Sequence, residues 1–197
     1  RNYFPYKQNQ KLIPLGLDTN YYSPDLFVKE NTDTFFKIIT VANLVPVKGI
    51  EVLIKAIHLL NNEKIKLEAL GDTRDNYAAD LKQLVIDLKL TNQIFFLGKH
   101  TDVRPFLANS DLYVIPTLNE GRKEGMPMAL VEAMSMGIPV LGSNISGINY
   151  VLKDFPELLF EASDEEVLAQ KINLYTEKTR DELERVGNEL RSYCLQY

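Results

Sequence analysis

The sequence predicts a doubly wound α/β fold: a parallel sheet of about six strands with helices on both faces. Three observations carry this expectation. Segments of strand and helix pattern alternate about five times along the chain. The strand segments are solid apolar runs rather than alternating ones, as expected where helices cover both faces of a sheet. Several of these runs stop at a glycine or proline, namely Gly71, Gly98 and Pro116, which turn the chain out of the sheet.

Taken in order, residues 1–34 are irregular and aromatic, with Tyr3, Tyr6, Tyr21 and Tyr22 among Pro5, Pro14 and Pro24. Only Lys11 to Pro14 suggests a short strand, and the rest reads as a connector rich in turn residues. From Phe35 the pattern becomes regular. Phe35 to Ala42 is an apolar, β-branched strand. Gly49 to Leu60 has apolar residues at Ile50, Leu53, Ile54, Ile57 and Leu60, the spacing of one helix face. Leu67–Leu70 is a strand, Tyr77–Leu88 a helix striped by Leu81, Leu84, Val85 and Leu88, and Ile94–Leu97 a strand. Asp102 can cap a short helix reaching Leu107, and Leu112–Ile115 is a strand. Met128–Met136 reads as helix, Ile138–Leu141 as strand, Ser146–Leu152 as short helix and Leu158–Phe160 as a last short strand. Charged helical segments follow from Asp164.

Composition narrows the class. The 197 residues suit one domain or a small pair. A hydrophobic share of 45% excludes a disordered chain, and a single cysteine, Cys194, excludes an internal disulfide or thiolate cluster. The net charge of −5 argues against bulk attraction to nucleic acid or anionic lipid. No apolar run reaches the ~18–20 residues of a membrane span. The chain does not begin with Met, and it reads as a piece of a longer one.

In doubly wound sheets the ligand lies outside the carboxyl ends of the strands, where strand order reverses. The segments to inspect are therefore 43–49, 71–76, 98–103, 116–127 and 142–147. The sharpest runs from Glu120 to Ala133. Pro127 sits where a helix has its first residue, suited by its fixed φ and missing N–H. The helix start near Gly125 to Met128 offers backbone N–H groups and a positive dipole end to an anion. Glu132 is the only charged residue from Gly125 to Leu152, inside an apolar helix. It is either a structural carboxylate accepting bonds from loop N–H groups or a ligand-facing one. Glu124, eight positions earlier, is about two helical turns away, so both carboxylates can face one side and accept bonds from sugar hydroxyls. Taken alone, Glu124 is equally consistent with an acid favoured by the helix dipole.

Lys48, in Asn43-Leu44-Val45-Pro46-Val47-Lys48-Gly49, stands before a helix whose dipole it does not help, which suits either a phosphate partner or simple solvation. His58 reads as solvated, and His100 sits in a strand-end loop that a ligand could touch. Two separate histidines and a remote cysteine make no metal site. The chain carries no Ser–His–Asp or Cys–His signature, no phosphate loop and no GxGxxG.

The stretch Arg122-Lys123-Glu124-Gly125-Met126-Pro127-Met128-Ala129-Leu130-Val131-Glu132-Ala133-Met134 resembles the E-x7-E hallmark of the retaining GT-B glycosyltransferases of the group 1 family. The likeness extends to Gly137–Val140, Ile145–Ile148, Asp111–Pro116, Phe96–Gly98, Leu44–Gly49 and Ile13–Asp18, an ordered series spanning roughly residues 12–160. It implies a Rossmann-like C-terminal half of a GT-B fold: residues 35–197 bind the nucleotide-sugar donor, and residues 1–34 lead out of an N-terminal, acceptor-binding domain. By the same resemblance Lys48 contacts the donor diphosphate and Glu124 holds the sugar near its anomeric carbon as the catalytic carboxylate. Gly125 and Met126 give N–H groups to sugar and phosphate, and Glu132 binds the ribose hydroxyls. Lys99 and His100 edge the base.

The implied reaction is transfer of a sugar, with retained configuration, from a UDP- or GDP-sugar to a polysaccharide or lipid-linked acceptor. It needs no metal or other cofactor, and it takes place in the cytoplasm or peripherally at the cytoplasmic membrane face. Residues 1–197 alone are expected to fold without transferring sugar. Two positions depart from the family pattern: Asn43 stands where arginine is usual, and Tyr150 where an acid is usual. The rival expectations are a nucleotide-sugar epimerase half, a phosphorylase, and a flavodoxin-like interaction module. An epimerase would show further carboxylates or histidines in the domain, and a phosphorylase a lysine-bound pyridoxal phosphate. A receiver-type module would cluster acids after the first strand, where this chain has Asn43-Leu44.

Overall fold

The computed structural model describes residues 16–29, 34–73, 76–120 and 125–196. Its core is a six-stranded, all-parallel sheet: β1 (Phe36–Val41), β2 (Ile65–Leu70), β3 (Ile94–Gly98), β4 (Leu112–Ile115), β5 (Val140–Ser143) and β6 (Leu159–Phe160). The helices are α1 (Ile50–Leu60), α2 (Asn76–Asp87), α3 (Arg104–Ala108), α4 (Met128–Ser135), α5 (Ser146–Val151), α6 (Glu165–Thr176) and α7 (Arg180–Cys194). The predicted elements from Phe35 onward are present, with ends displaced by at most two residues. The short strand expected at Lys11 to Pro14 lies outside the described residues.

Strand order is β3-β2-β1-β4-β5-β6. The chain builds outward from β1 to β3, then returns to the centre and builds outward the other way. The reversal falls between β1 and β4, which pair through Ile38 with Leu112 and Ile39 with Tyr113. This is the switch point at which such sheets open a crevice.

The two central strands show why solid apolar runs were needed. Ile38 and Ile39 in β1, and Leu112, Tyr113 and Val114 in β4, have no accessible surface. β3 is different: Phe95 and Leu97 are exposed, because β3 is an edge strand and half of its side chains face outward.

Helix ends follow their local chemistry. Asp164 caps α6 by accepting from the Val167 N–H at 2.9 Å, and Thr179 with Glu182 forms a reciprocal capping box on α7. Asp102 is a correction: Val103 is the cap residue of α3, and Asp102, one position earlier, accepts from the Arg104 N–H at 3.0 Å. Pro127 is a correction: it precedes α4 as its cap residue, and Met128 is the first helical position. Its φ of −78° suits either place, but its ψ of 85° is not helical. After α4 the chain turns at Gly137 in the left-handed region, φ 68°, with Gly137 and Ile138 donating back to Met134 and Ala133.

Residues 16–29 pack against this domain. The Tyr22 carbonyl accepts from Ser135 Oγ at 2.7 Å and from Arg191 at 3.0 Å, and Arg191 also reaches Ser23 Oγ. Lys29 pairs at 3.3 Å with Asp111, a carboxylate 2% exposed that also takes the Lys37 N–H and the Arg180 guanidinium. That buried charge is fully partnered, as its burial requires.

Candidate functional site

A cleft of about 330 Å³ opens at the carboxyl ends of β1 to β4. Its walls include Asn43 and Lys48 from the β1–α1 loop, Gly71 after β2, Lys99 and His100 after β3, and Thr117 after β4. Pro127, Met128 and Ala129 at the start of α4 complete it. The volume suits part of a small organic ligand. Lys48 and Lys99 are its charged groups, and no carboxylate lines it among the described residues. With the first N–H groups of an eight-residue helix at the same place, the cleft is arranged for an anion.

Close backbone approaches hold the cleft together. The β1–α1 loop forms one 3₁₀ turn over Pro46–Lys48 and leaves it through Gly49, φ 63°. A Cβ on Gly49 would lie 2.0 Å from the Pro116 carbonyl oxygen. Beside this contact, Leu118 N–H donates to the Val47 carbonyl at 2.8 Å. A Cβ on Gly71 would lie 1.8 Å from the Ala42 carbonyl oxygen, and Gly71 N–H donates to the Gly98 carbonyl. The loops after β1, β2, β3 and β4 are thus locked at one edge.

The structure gathers Asn43, Lys48, Lys99, His100 and Pro127 around this one cleft. The His100 ring packs 4.4 Å from the Phe106 ring, and its Nε2 lies 3.2 Å from the Leu97 carbonyl. Gly125 is exposed beside the cleft, with open space where a Cβ would stand. Met126 lines a different groove with Val131, Met134, Tyr150 and Tyr193. Glu124 lies outside the described residues.

Glu132 stands apart from the cleft's lining. It is half-buried on α4, one helical turn beyond Met128 and Ala129, which do line it. Its carboxylate accepts a hydrogen bond from the Tyr22 hydroxyl. Burial pushes the Glu132 carboxyl above its ordinary value despite that bond. Burial, with the facing carboxylate second, pushes the Tyr22 hydroxyl up to about 12. Next to Tyr22, the Arg104 guanidinium lies 3.4 Å from the centre of the Tyr21 ring and donates to the Tyr21 carbonyl. Arg104 also grips Asp102 at 2.8 and 2.7 Å, holding that carboxyl below its ordinary value.

Sequence reasoning missed Thr117 and Tyr22. Segment 116–127 was marked for its position, but nothing in Pro116-Thr117 singles out the hydroxyl. Tyr22 sits 110 residues before Glu132 in a stretch without periodicity, so no local pattern joins them.

Residues 24–192 match the model of the family described as glycosyl transferases group 1. The chain is 28% identical over 182 residues to a putative colanic acid biosynthesis glycosyltransferase of Escherichia coli, covering 90% of this chain and 44% of the relative. It is 36% identical over 98 residues to an Escherichia coli UDP-Gal:alpha-D-GlcNAc-diphosphoundecaprenol alpha-1,3-galactosyltransferase, covering 49% and 22%. The chain thus spans less than half the length of these curated relatives. Among solved structures, Anabaena HepE in complex with UDP and glucose is similar in fold. The TM-score is 0.82 at 24% identity, over 94% of this chain and 52% of that one.

Proposed function

Because the chain belongs to the group 1 glycosyl transferases, we propose that it binds the nucleotide diphosphate sugar of a transferase that retains the configuration at the anomeric carbon. The observation that carries this reading is the cleft at the β1/β4 switch point, with Lys48, Lys99 and the start of α4 on its walls and no carboxylate among its described lining residues. Lys48 holds the diphosphate, and backbone N–H groups at Gly125 and Met126 meet phosphate and sugar. These groups stabilise charge on the departing diphosphate without having to reorganise. Glu124 holds the sugar near its anomeric carbon. Lys99 and His100 edge the base. Glu132 accepts from the ribose hydroxyls with the lone pairs that Tyr22 leaves open.

The donor is a UDP- or GDP-sugar, and the HepE complex with UDP supports the first. The acceptor is a growing polysaccharide or a lipid-linked sugar, as the names of the two Escherichia coli relatives suggest. The acceptor site belongs to a further domain, so residues 1–197 alone bind the donor without transferring its sugar. No helix among the described residues is long and apolar enough to cross a membrane. By family resemblance, the full enzyme works in the cytoplasm or peripherally at the cytoplasmic face of the membrane. Family membership favours this reading over an epimerase half or a flavodoxin-like module.

Calorimetry with UDP, GDP and uridine tests it. A charge-assisted phosphate contact is worth ~1.5–3 kcal/mol, so Lys48→Ala is expected to weaken UDP binding about tenfold or more and to spare uridine. Equal losses for UDP and uridine would remove Lys48 from the phosphate site. Absence of any nucleotide binding by the native chain would overturn the reading.

A further inference from the structure

Thr117 follows the last residues of β4 and lines the cleft, yet it is only 1% exposed. Its Oγ1 is buried and has no hydrogen-bond partner among the described residues. Burying an unpaired hydroxyl works against folding, and valine would fill the same space without that penalty. The described groups of the protein therefore do not account for the hydroxyl.

Its surroundings are rigid and electropositive. The Pro116 carbonyl is flush against Gly49, and Leu118 N–H is tied to Val47, so both neighbours of Thr117 are fixed to the loop that carries Lys48. The start of α4 forms another wall of the same cleft. A hydroxyl among a lysine and free helix N–H groups, with no carboxylate in the described lining, best serves an anionic oxygen.

We propose that the Thr117 hydroxyl donates a hydrogen bond to the diphosphate of a nucleotide bound in this cleft, acting with Lys48 as a phosphate ligand. The assignment rests on the nucleotide reading of the cleft.

The test compares Thr117→Val and Thr117→Ser with the native chain by melting without ligand and by calorimetry with UDP, uridine and inorganic pyrophosphate. Thr117→Val is expected to melt at the native temperature or slightly above it. It should lose UDP and pyrophosphate affinity about five- to twentyfold and keep that for uridine, while Thr117→Ser keeps most of all three. Unchanged UDP affinity in Thr117→Val, with or without a lower melting temperature, would overturn the assignment and leave the hydroxyl a role within the fold. So would equal losses for UDP and uridine. If Thr117→Val does not fold, Thr117→Ala takes its place: loss of UDP and pyrophosphate affinity with native affinity for uridine supports the assignment, and unchanged UDP affinity or equal losses for UDP and uridine overturn it. Lys48→Ala run in parallel separates the two levels. Loss of UDP there but not in Thr117→Val leaves the nucleotide site standing and removes Thr117 from it, whereas a native chain that binds neither UDP, GDP nor pyrophosphate removes both.

Discussion

Gly49→Ala puts the construction of the cleft under the most direct strain. Gly49 has φ 63°, and a methyl there would lie 2.0 Å from the Pro116 carbonyl oxygen. That is about 1.4 Å short of the 3.4 Å at which ordinary contact begins. The obstacle is backbone, so relief requires moving either the loop that ends in Lys48 or the end of β4. The left-handed conformation costs a non-glycine residue ~1–2 kcal/mol. Forced displacement of packed structure costs ~1–3 kcal/mol more. Together these amount to about 2–5 kcal/mol, a fall of roughly 5–15 °C in melting temperature for a domain of this size. The affinity for UDP, measured where the variant is still folded, should fall more than that for uridine, because the shift separates Lys48 from Thr117. Gly125→Ala is the control: a Cβ there meets open space, and the variant should melt like the native chain. A Gly49→Ala chain that melts within about 1 °C of the native one would refute the claim that this contact holds the two loops together.

Glu132→Gln keeps an acceptor for Tyr22 and removes a half-buried charge, so the ligand-free chain should be as stable or slightly more so, while UDP affinity falls about tenfold and pyrophosphate affinity does not. A lower melting temperature with unchanged UDP affinity would make Glu132 purely structural. Because burial raises the folded-state value of this carboxyl above its ordinary 4.5, the folded chain binds its proton more tightly than the unfolded one. Its contribution to stability is therefore present below about pH 4.5 and lost as the pH rises through the folded value. The stability of the native chain relative to Glu132→Gln should decline across that window, and a difference flat in pH refutes the assignment. Tyr22→Phe strips the carboxylate of its hydroxyl donor and should cost about 1 kcal/mol near neutral pH, or ~2–4 °C; no change in melting would mean that the bond contributes nothing to the fold.

The sheet was legible because its signals are local. Ile38, Ile39, Leu112 and Val114 are apolar because both faces are covered, and that shows as an unbroken run in the sequence. The edge that carries the ligand loops followed from the same pattern, since strand–helix alternation places the loops after each strand together; the switch point itself depends on strand order and came only with the structure. Pro127 was displaced by one position because a proline is accommodated both at a cap and in the first turn, and the sequence does not distinguish them. β3 lost its second cover because edge position is a property of strand order, which Phe95 and Leu97 do not encode. Gly49 and Gly71 read as ordinary turn residues; that each clears a carbonyl of a neighbouring loop emerges only when the strands are side by side.

Glu132 shows where reading along the chain stops and packing takes over. A lone carboxylate in an apolar helix demands a partner, and the sequence supplies the demand without the partner. The structure supplies Tyr22, from a segment that reads as a mere connector. That segment is itself anchored: Arg191 of α7 binds the Tyr22 carbonyl and Ser23 Oγ, and Lys29 reaches the buried Asp111 together with Arg180 of α7. The hydroxyl that orients Glu132 is thus fixed by the helix at the far end of the chain. One bond from Tyr22 leaves most of the carboxylate's accepting capacity open, so a structural role does not exhaust it. A group held by one donor and desolvated on one side is already set in place for a ligand's hydroxyls, which then pay little to orient it. The proposed ribose role of Glu132 is therefore compatible with its structural one, and under that proposal the residues before the sheet become part of what shapes the site.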